Sequence, residues 1–262
     1  MNEPEGLRKE KSDENLNIIV ESIREEVSAY YIEPEKEKAN GNAIILIEEI
    51  WGINENIIDV ANRLKDEGYI VLSPELLEET GITEKITLQH FRDVKASDEN
   101  EKIEGQVKMR ELLSPVRSPE FGKKTLEKLK ACFNFLDKKE NVKNIGVMGF
   151  CFGGGYSFIL SINEPRIKAC VSFYGKNPEP LSEIENLNCP VLAFYGMYDK
   201  PLIEKLPELV KEMEVHGKNF SNKIYAKSKH AFFNDKNPNT YNPEAAKDSW
   251  EATLEFFKKH LN

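Results

Sequence analysis

The chain reads as an α/β protein: a mostly parallel, twisted sheet with helices on both faces and a charged insertion near residues 75–120. Three observations predict it. Short unbroken apolar runs recur at 43–47, 69–72 and 145–148, the mark of strands covered on both faces. Segments with apolar residues at helical spacing fall between them. A glycine-rich turn, Gly149-Phe150-Cys151-Phe152-Gly153-Gly154-Gly155, then joins the third run to another helical stretch. Strands alternating with helices favour parallel pairing.

Residues 1–14 are rich in Glu, Lys and Asn, and a disordered tail is expected there. Residues 15–262 are read as one α/β-hydrolase domain carrying the 75–120 insertion. Residues 18–32, with Val27, Tyr30, Tyr31 and Ile32 leading into Pro34, are read as a strand. The strand at 43–47 follows. Ile57, Val60, Ala61 and Leu64 then recur at helical spacing and stop near Gly68, a cap candidate. The strand at 69–72 ends at Ser73-Pro74. The segment 75–120 is dense in Glu and Lys, only partly helical in pattern, and is assigned to the sheet's edge. A helix bearing Leu126, Leu129, Phe133 and Leu136 leads to the strand at 145–148. Further strands are expected at 168–174, 190–195 and 222–226. The last helix is capped by Asn242, with Pro243 and Glu244 in its first turn.

Composition narrows the function. A net charge of −9 disfavours a phosphate-backbone partner, so nucleic acid is not expected. No apolar run is long enough to span a membrane or serve as a signal peptide. Cys132, Cys151, Cys170 and Cys189 form no CxxC pair and lie in or beside apolar stretches, the usage of a reducing compartment. A cytoplasmic monomer is the expectation.

Reactive groups in parallel sheets gather at the carboxyl ends of strands. Cys151 stands after the strand at 145–148, on a G-x-C-x-G-G turn, the thiol form of a nucleophile elbow. Asp199 follows the strand at 190–195, and His230 follows the strand at 222–226. The order nucleophile, acid, histidine is that of α/β-hydrolases. A thiol needs a neighbouring imidazole to ionise near neutrality, and the imidazole needs an acceptor to fix its tautomer. Each residue also has a plainer reading: a structural cysteine, a turn aspartate before Pro201, a loop histidine. His90, His216 and His260 are assigned structural or solvated roles. Glu48 and Glu49 end the strand at 43–47. Either both face solvent, or one turns inward toward Cys151.

Together, Glu48-Glu49-Ile50-Trp51-Gly52, Gly149-Phe150-Cys151-Phe152-Gly153-Gly154, the turn at Asp199 and His230-Ala231-Phe232 resemble the dienelactone hydrolase family. The likeness extends over roughly residues 25–260, through Phe233-Asn234-Asp235 to Trp250. It implies an α/β-hydrolase fold, a Cys151–His230–Asp199 triad, and no metal or organic cofactor. The implied enzyme is a carboxymethylenebutenolidase-like carboxylic ester hydrolase acting on a small ester or lactone through an acyl-thioester. Glu49 matches the family glutamate that holds the resting thiol. The N–H groups of Ile50 and Phe152 match its oxyanion hole. Trp51 and Asn234 are candidate substrate contacts. Two arginines that hold substrate carboxylate in the family are missing: one position is Asn234, and the run 74–79 has none. Arg92, Arg110 and Arg117 of the insertion are the candidate replacements. A thioesterase or neutral-lactone hydrolase is the alternative enzyme. A thiol redox sensor, or a binding protein without turnover, is the alternative of another class.

Overall fold

The computed structural model describes residues 15–94 and 97–262, so the tail expected at 1–14 lies outside the described residues. One eight-stranded sheet runs in the order β1-β2-β4-β3-β5-β6-β7-β8. The strands are β1 (Asn15–Val20), β2 (Glu25–Ile32), β3 (Asn42–Ile47), β4 (Ile70–Pro74), β5 (Asn144–Phe150), β6 (Ala169–Phe173), β7 (Val191–Gly196) and β8 (Phe220–Tyr225). From β4 to β8 all neighbours pair in parallel; β1 and β2 are antiparallel. This is the mostly parallel sheet that the apolar runs predict. Every residue of β3 is buried, as an unbroken Ala-Ile-Ile-Leu-Ile run requires.

Helices cover the sheet. They are α1 (Glu55–Asp66), α2 (Ile82–Lys85), α3 (Leu88–Asp93), α4 (Glu99–Leu112), α5 (Pro119–Asp137), α6 (Phe152–Asn163), α7 (Lys200–Val215) and α8 (Pro243–Leu261). In α1 the side chain of Asn54 caps the N–H groups of Asn56 and Ile57, and Ile57, Val60, Ala61 and Leu64 are buried. Helix α8 begins at the Asn242 cap and buries Phe257 and Leu261 against β5.

Two expectations need correction. Residues 18–32 form a hairpin rather than one strand, with Ile18 paired to Val27. The turn closes through Ile23 N to Val20 O at 3.2 Å, and Arg24 takes a left-handed φ of 55°. A turn without Gly, Pro or Asn carries no sequence signal. The last strand starts two residues earlier than expected, because its ladder to β7 runs from Phe220 to Tyr225.

The segment 75–120 is mostly helical and does not lie along an edge. It leaves from β4, which sits between β2 and β3. Leu77, Ile82 and Ile86 bury against Ile50, and Trp51 and Phe152 pack on the same cluster. These few apolar side chains find their cover over the carboxyl ends of β3 and β5. The insertion therefore roofs the region that the sequence marks as reactive.

Candidate active site

Cys151 sits between β5 and α6 with φ 55° and ψ −110°. Such a conformation in a non-glycine residue costs on the order of 1–3 kcal/mol and persists only when neighbours impose it. Here they do. Cys151 N donates to Phe173 O at 2.9 Å, tying the elbow to β6. Gly153 N donates to Glu48 O at 3.0 Å, tying the first turn of α6 to the loop after β3. A Cβ at Gly149 would lie 2.3 Å from Gly153 O, and one at Gly153 would lie 2.2 Å from Ile47 O. Only glycine fits this crossing.

The N–H groups of Ile50 and Phe152 flank that crossing, and among the described residues neither donates to a protein acceptor. Phe152 opens α6, so its N–H belongs to the unsatisfied first turn of the helix. Free backbone donors beside a partly exposed thiol can receive an oxyanion.

Asp199 opens α7, yet its side chain does not cap that helix. Its Oδ2 instead lies 2.5 Å from His230 Nδ1. The plain reading of Asp199 as a turn residue thus fails on its side-chain partner. The two loops are joined by Tyr198 N donating to Ser228 O at 2.9 Å. Ala231 follows His230 with φ 58°, and Asn242 N holds Phe232 O at 2.9 Å, which fixes the histidine loop. The charge of a Cys151 thiolate also favours the imidazolium of His230. Burial works against an imidazolium here. The Cys151 sulfur and the Asp199 carboxylate outweigh it and raise the His230 pKa from 6.5 to about 10. Asp199 and His230 thus meet, and Cys151 stands on the elbow after β5.

Both glutamates after β3 are buried, so the solvent-facing reading is wrong for each. Glu48 Oε1 accepts from Leu76 N at 2.7 Å and Leu77 N at 3.0 Å, anchoring the root of the insertion. Burial raises its pKa to about 8; the two N–H groups oppose this, and the charges of Glu75 and Glu78 add to it. Glu49 turns to the other side. Its Oε1 accepts from Tyr174 OH at 3.2 Å and its Oε2 from Asn234 Nδ2 at 3.1 Å. Burial raises the Glu49 pKa, against the opposing pull of His230, Tyr174 and Asn234. Both oxygens of Glu49 are thus engaged by neutral donors, and the charge of His230 acts on it as well.

Tyr174 is the residue that strand-end reasoning missed. It is buried directly after β6, with φ 39°, and its ring lies 4.9 Å from the His230 ring. Counting it as the last residue of a strand at 168–174 hid it. Burial first, then the Glu49 and Cys151 charges, hold its phenol protonated and available as a donor.

The Trp51 ring lies 5.3 Å from Phe91, and the Phe152 ring lies tilted 4.6 Å from Tyr156 and 6.2 Å from Phe121. Asn234 is buried on Glu49. Two surface cavities, of about 490 and 210 Å³, lie away from Cys151. The other histidines have local roles. His90 caps Thr87, His216 bonds Glu212, and His260 stacks on Phe256, where burial and Lys259 lower its pKa. Among the described residues, no cluster of three His, Cys, Asp or Glu could hold a metal, and no helix is long and apolar enough to cross a membrane.

A parallel sheet with a strained cysteine elbow and an acid–histidine pair at neighbouring strand ends defines an α/β-hydrolase. The sequence profile of the dienelactone hydrolase family matches residues 27–261, and the chain belongs to that family. A relative from Saccharolobus solfataricus, named "Putative carboxymethylenebutenolidase", is 33% identical over 258 residues, covering 92% of this chain and 97% of its own. Among solved structures, the "Putative Dienelactone Hydrolase" of Klebsiella pneumoniae superposes with a TM-score of 0.73 at 23% identity, covering 94% of this chain and 98% of that one. A dienelactone hydrolase from Anabaena variabilis gives a TM-score of 0.64 at 17% identity, covering 95% and 100%. Both structural likenesses bear on the fold.

Proposed function

We propose that the protein hydrolyses a small carboxylic ester or lactone through an acyl-thioester on Cys151. The observation that supports this is the Asp199 carboxylate 2.5 Å from His230 Nδ1, with Cys151 on the strained elbow after β5. In the first half-reaction the thiol's proton rests on His230 as an imidazolium, and the Cys151 sulfur attacks the carbonyl carbon. The Nδ1 proton stays on His230, which donates it to Asp199, and the carboxylate stabilises the imidazolium. The carbonyl oxygen becomes an oxyanion, accepting from the N–H groups of Ile50 and Phe152. Loss of one such donor costs about 3 kcal/mol in the barrier. The tetrahedral intermediate collapses, and the leaving oxygen takes the proton from His230. In the second half-reaction His230 draws a proton from water, the hydroxide attacks the thioester, and the acid leaves as the thiol is restored.

Trp51 faces the alcohol or acyl portion from the loop carrying Ile50, while Asn234 acts through Glu49. Unpaired Cys132, Cys151, Cys170 and Cys189 support residence in a reducing compartment such as the cytoplasm.

The test is intact-protein mass spectrometry during turnover of a slow activated ester. An acyl mass added to the wild type, localised to Cys151 and absent from Cys151→Ala, is the expected result. Turnover should disappear in Cys151→Ala and His230→Ala. Full activity in either variant overturns the assignment. A thiol that is labelled by electrophiles while no ester is turned over would instead favour a sensor or binding protein.

A further inference from the structure

Glu48 is buried at the end of β3 and is engaged from two directions. Its side chain holds the insertion. Oε1 accepts from Leu76 N at 2.7 Å and from Leu77 N at 3.0 Å, just past the end of β4. Leu76 packs into the main core and Leu77 into the small cluster with Ile50, so the bonded root lies where the two clusters divide. Its main chain holds the elbow. Glu48 O accepts from Gly153 N at 3.0 Å, in the first turn of α6.

The residues that follow Glu48 form a tight turn. Gly52 N donates to Glu49 O at 3.0 Å, and Gly52 takes a φ of 77°. A Cβ on Gly52 would stand 3.0 Å from Thr83 Cγ2 of α2 and 3.7 Å from Glu48 Oε2. The turn that carries Ile50 therefore lies against both the Glu48 carboxyl and the insertion. A second hold on the root comes from α5, where Lys128 Nζ lies 2.8 Å from Glu79 Oε1. The ion pairs of Lys128 are with Glu25 and Glu79, outside the 48–52 turn.

We infer that Glu48 is a positioning residue that couples the insertion to the nucleophile elbow: a shift at Leu76 and Leu77 passes through the 48–52 turn to Ile50 and to the first turn of α6. Without the Glu48 acceptor, the amides of Leu76 and Leu77 lose their partner, and an unpaired buried donor forces the chain to move or to admit water. The 48–52 turn then loses its tie to the root, and the bond from Gly153 N weakens although its own atoms are unchanged. The coupling is independent of the chemistry; its effect on turnover rests on the hydrolase reading, in which Ile50 and Phe152 supply the oxyanion donors.

The experiment compares the wild type with Glu48→Gln, Glu48→Met and Lys128→Met by amide hydrogen exchange and by turnover of 4-nitrophenyl acetate. Glu48→Met fills the same space without an acceptor, and exchange should quicken about tenfold or more at Leu76 and Leu77 and also at Gly153. Glu48→Gln keeps an acceptor oxygen and should bring both sites back toward the wild type. Lys128→Met loosens the root by another route and should quicken exchange there but not at Gly153. In turnover, Glu48→Met should lower kcat about tenfold or more with KM little changed, and Glu48→Gln should restore it. If Glu48→Met does not fold, Glu48→Asp, whose shorter carboxyl falls away from the root, is read in the same way. Exchange that quickens at the root alone in Glu48→Met overturns the inference, as does equal quickening at Gly153 in Lys128→Met. Full kcat in Glu48→Met also overturns it. A wild type that turns over no ester removes the hydrolase reading, and the exchange pattern at Gly153 then decides the coupling by itself.

Discussion

The amide of Gly153 donates to the carbonyl of Glu48 at 3.0 Å, and this bond docks the nucleophile turn onto the loop that carries Ile50. This contact joins the two segments that carry the proposed oxyanion donors. Its geometry leaves no room for a side chain, because a Cβ on residue 153 would stand 2.2 Å from Ile47 O.

Gly153→Ala should therefore force the elbow and the loop apart. The obstacle is backbone and cannot rotate away. The expected cost is roughly 1–3 kcal/mol of stability, as for overpacking elsewhere, with ester turnover falling further than stability alone explains. Urea unfolding and turnover measured on the same preparation check this. An alanine variant with wild-type stability and rate would contradict the crossing described here.

Asp199→Asn keeps the shape of the turn but replaces the acceptor that fixes the His230 tautomer. Turnover should fall by about four orders of magnitude, the scale seen when a triad carboxylate becomes an amide. Folding should be nearly unaffected, since Asp199 makes no side-chain cap to α7. Circular dichroism and steady-state kinetics separate the two effects.

The His230 ring has its pKa raised to about 10, with the Cys151 sulfur among the causes. The cation is favoured below that value and lost as pH rises through it. In Cys151→Ala that contribution is gone, so the titration midpoint should move down toward 6.5. NMR of the imidazole resonances across pH 5 to 11 reads both midpoints; identical midpoints would show that the sulfur does not act on the ring.

Glu48 titrates in the same sense for stability. Its folded pKa is raised from 4.5 to about 8, so between those values the folded chain keeps a proton that the unfolded chain has released. Stability falls as pH rises across that window and levels off above it. Glu48→Gln retains an acceptor for Leu76 N and Leu77 N but cannot ionise. The variant should gain on the wild type from pH 5 to pH 9 in denaturation experiments. A constant difference over that range would place the burden on other groups.

The sheet was legible because its inner strands are unbroken apolar runs that tolerate only one reading. The elbow was legible because Gly149 and Gly153 mark a close approach whatever surrounds them. The order Cys151, Asp199, His230 then placed the chemistry at three strand ends. What escaped had local causes. The turn of the β1–β2 hairpin uses Arg24 where a glycine would have signalled it. Tyr174 looks like the end of a strand, and only its left-handed backbone turns it toward Glu49. The insertion is mostly charged, so the contribution of Leu77, Ile82 and Ile86 to its placement is invisible until Ile50 is seen beneath them. The paired glutamates part company for a three-dimensional reason: one meets backbone donors of the insertion and the other meets Tyr174 and Asn234.

The small apolar cluster joining the insertion to Ile50, Trp51 and Phe152 is separate from the main core under the sheet. Mutations in the roof can thus accumulate without disturbing the interior that makes the protein fold. The molecule has one part answerable to stability and another free to drift, with Cys151 near their seam. Changes at Leu77, Ile82 and Ile86 would thus rewrite the cover above Ile50 and Phe152 while the main core keeps its packing.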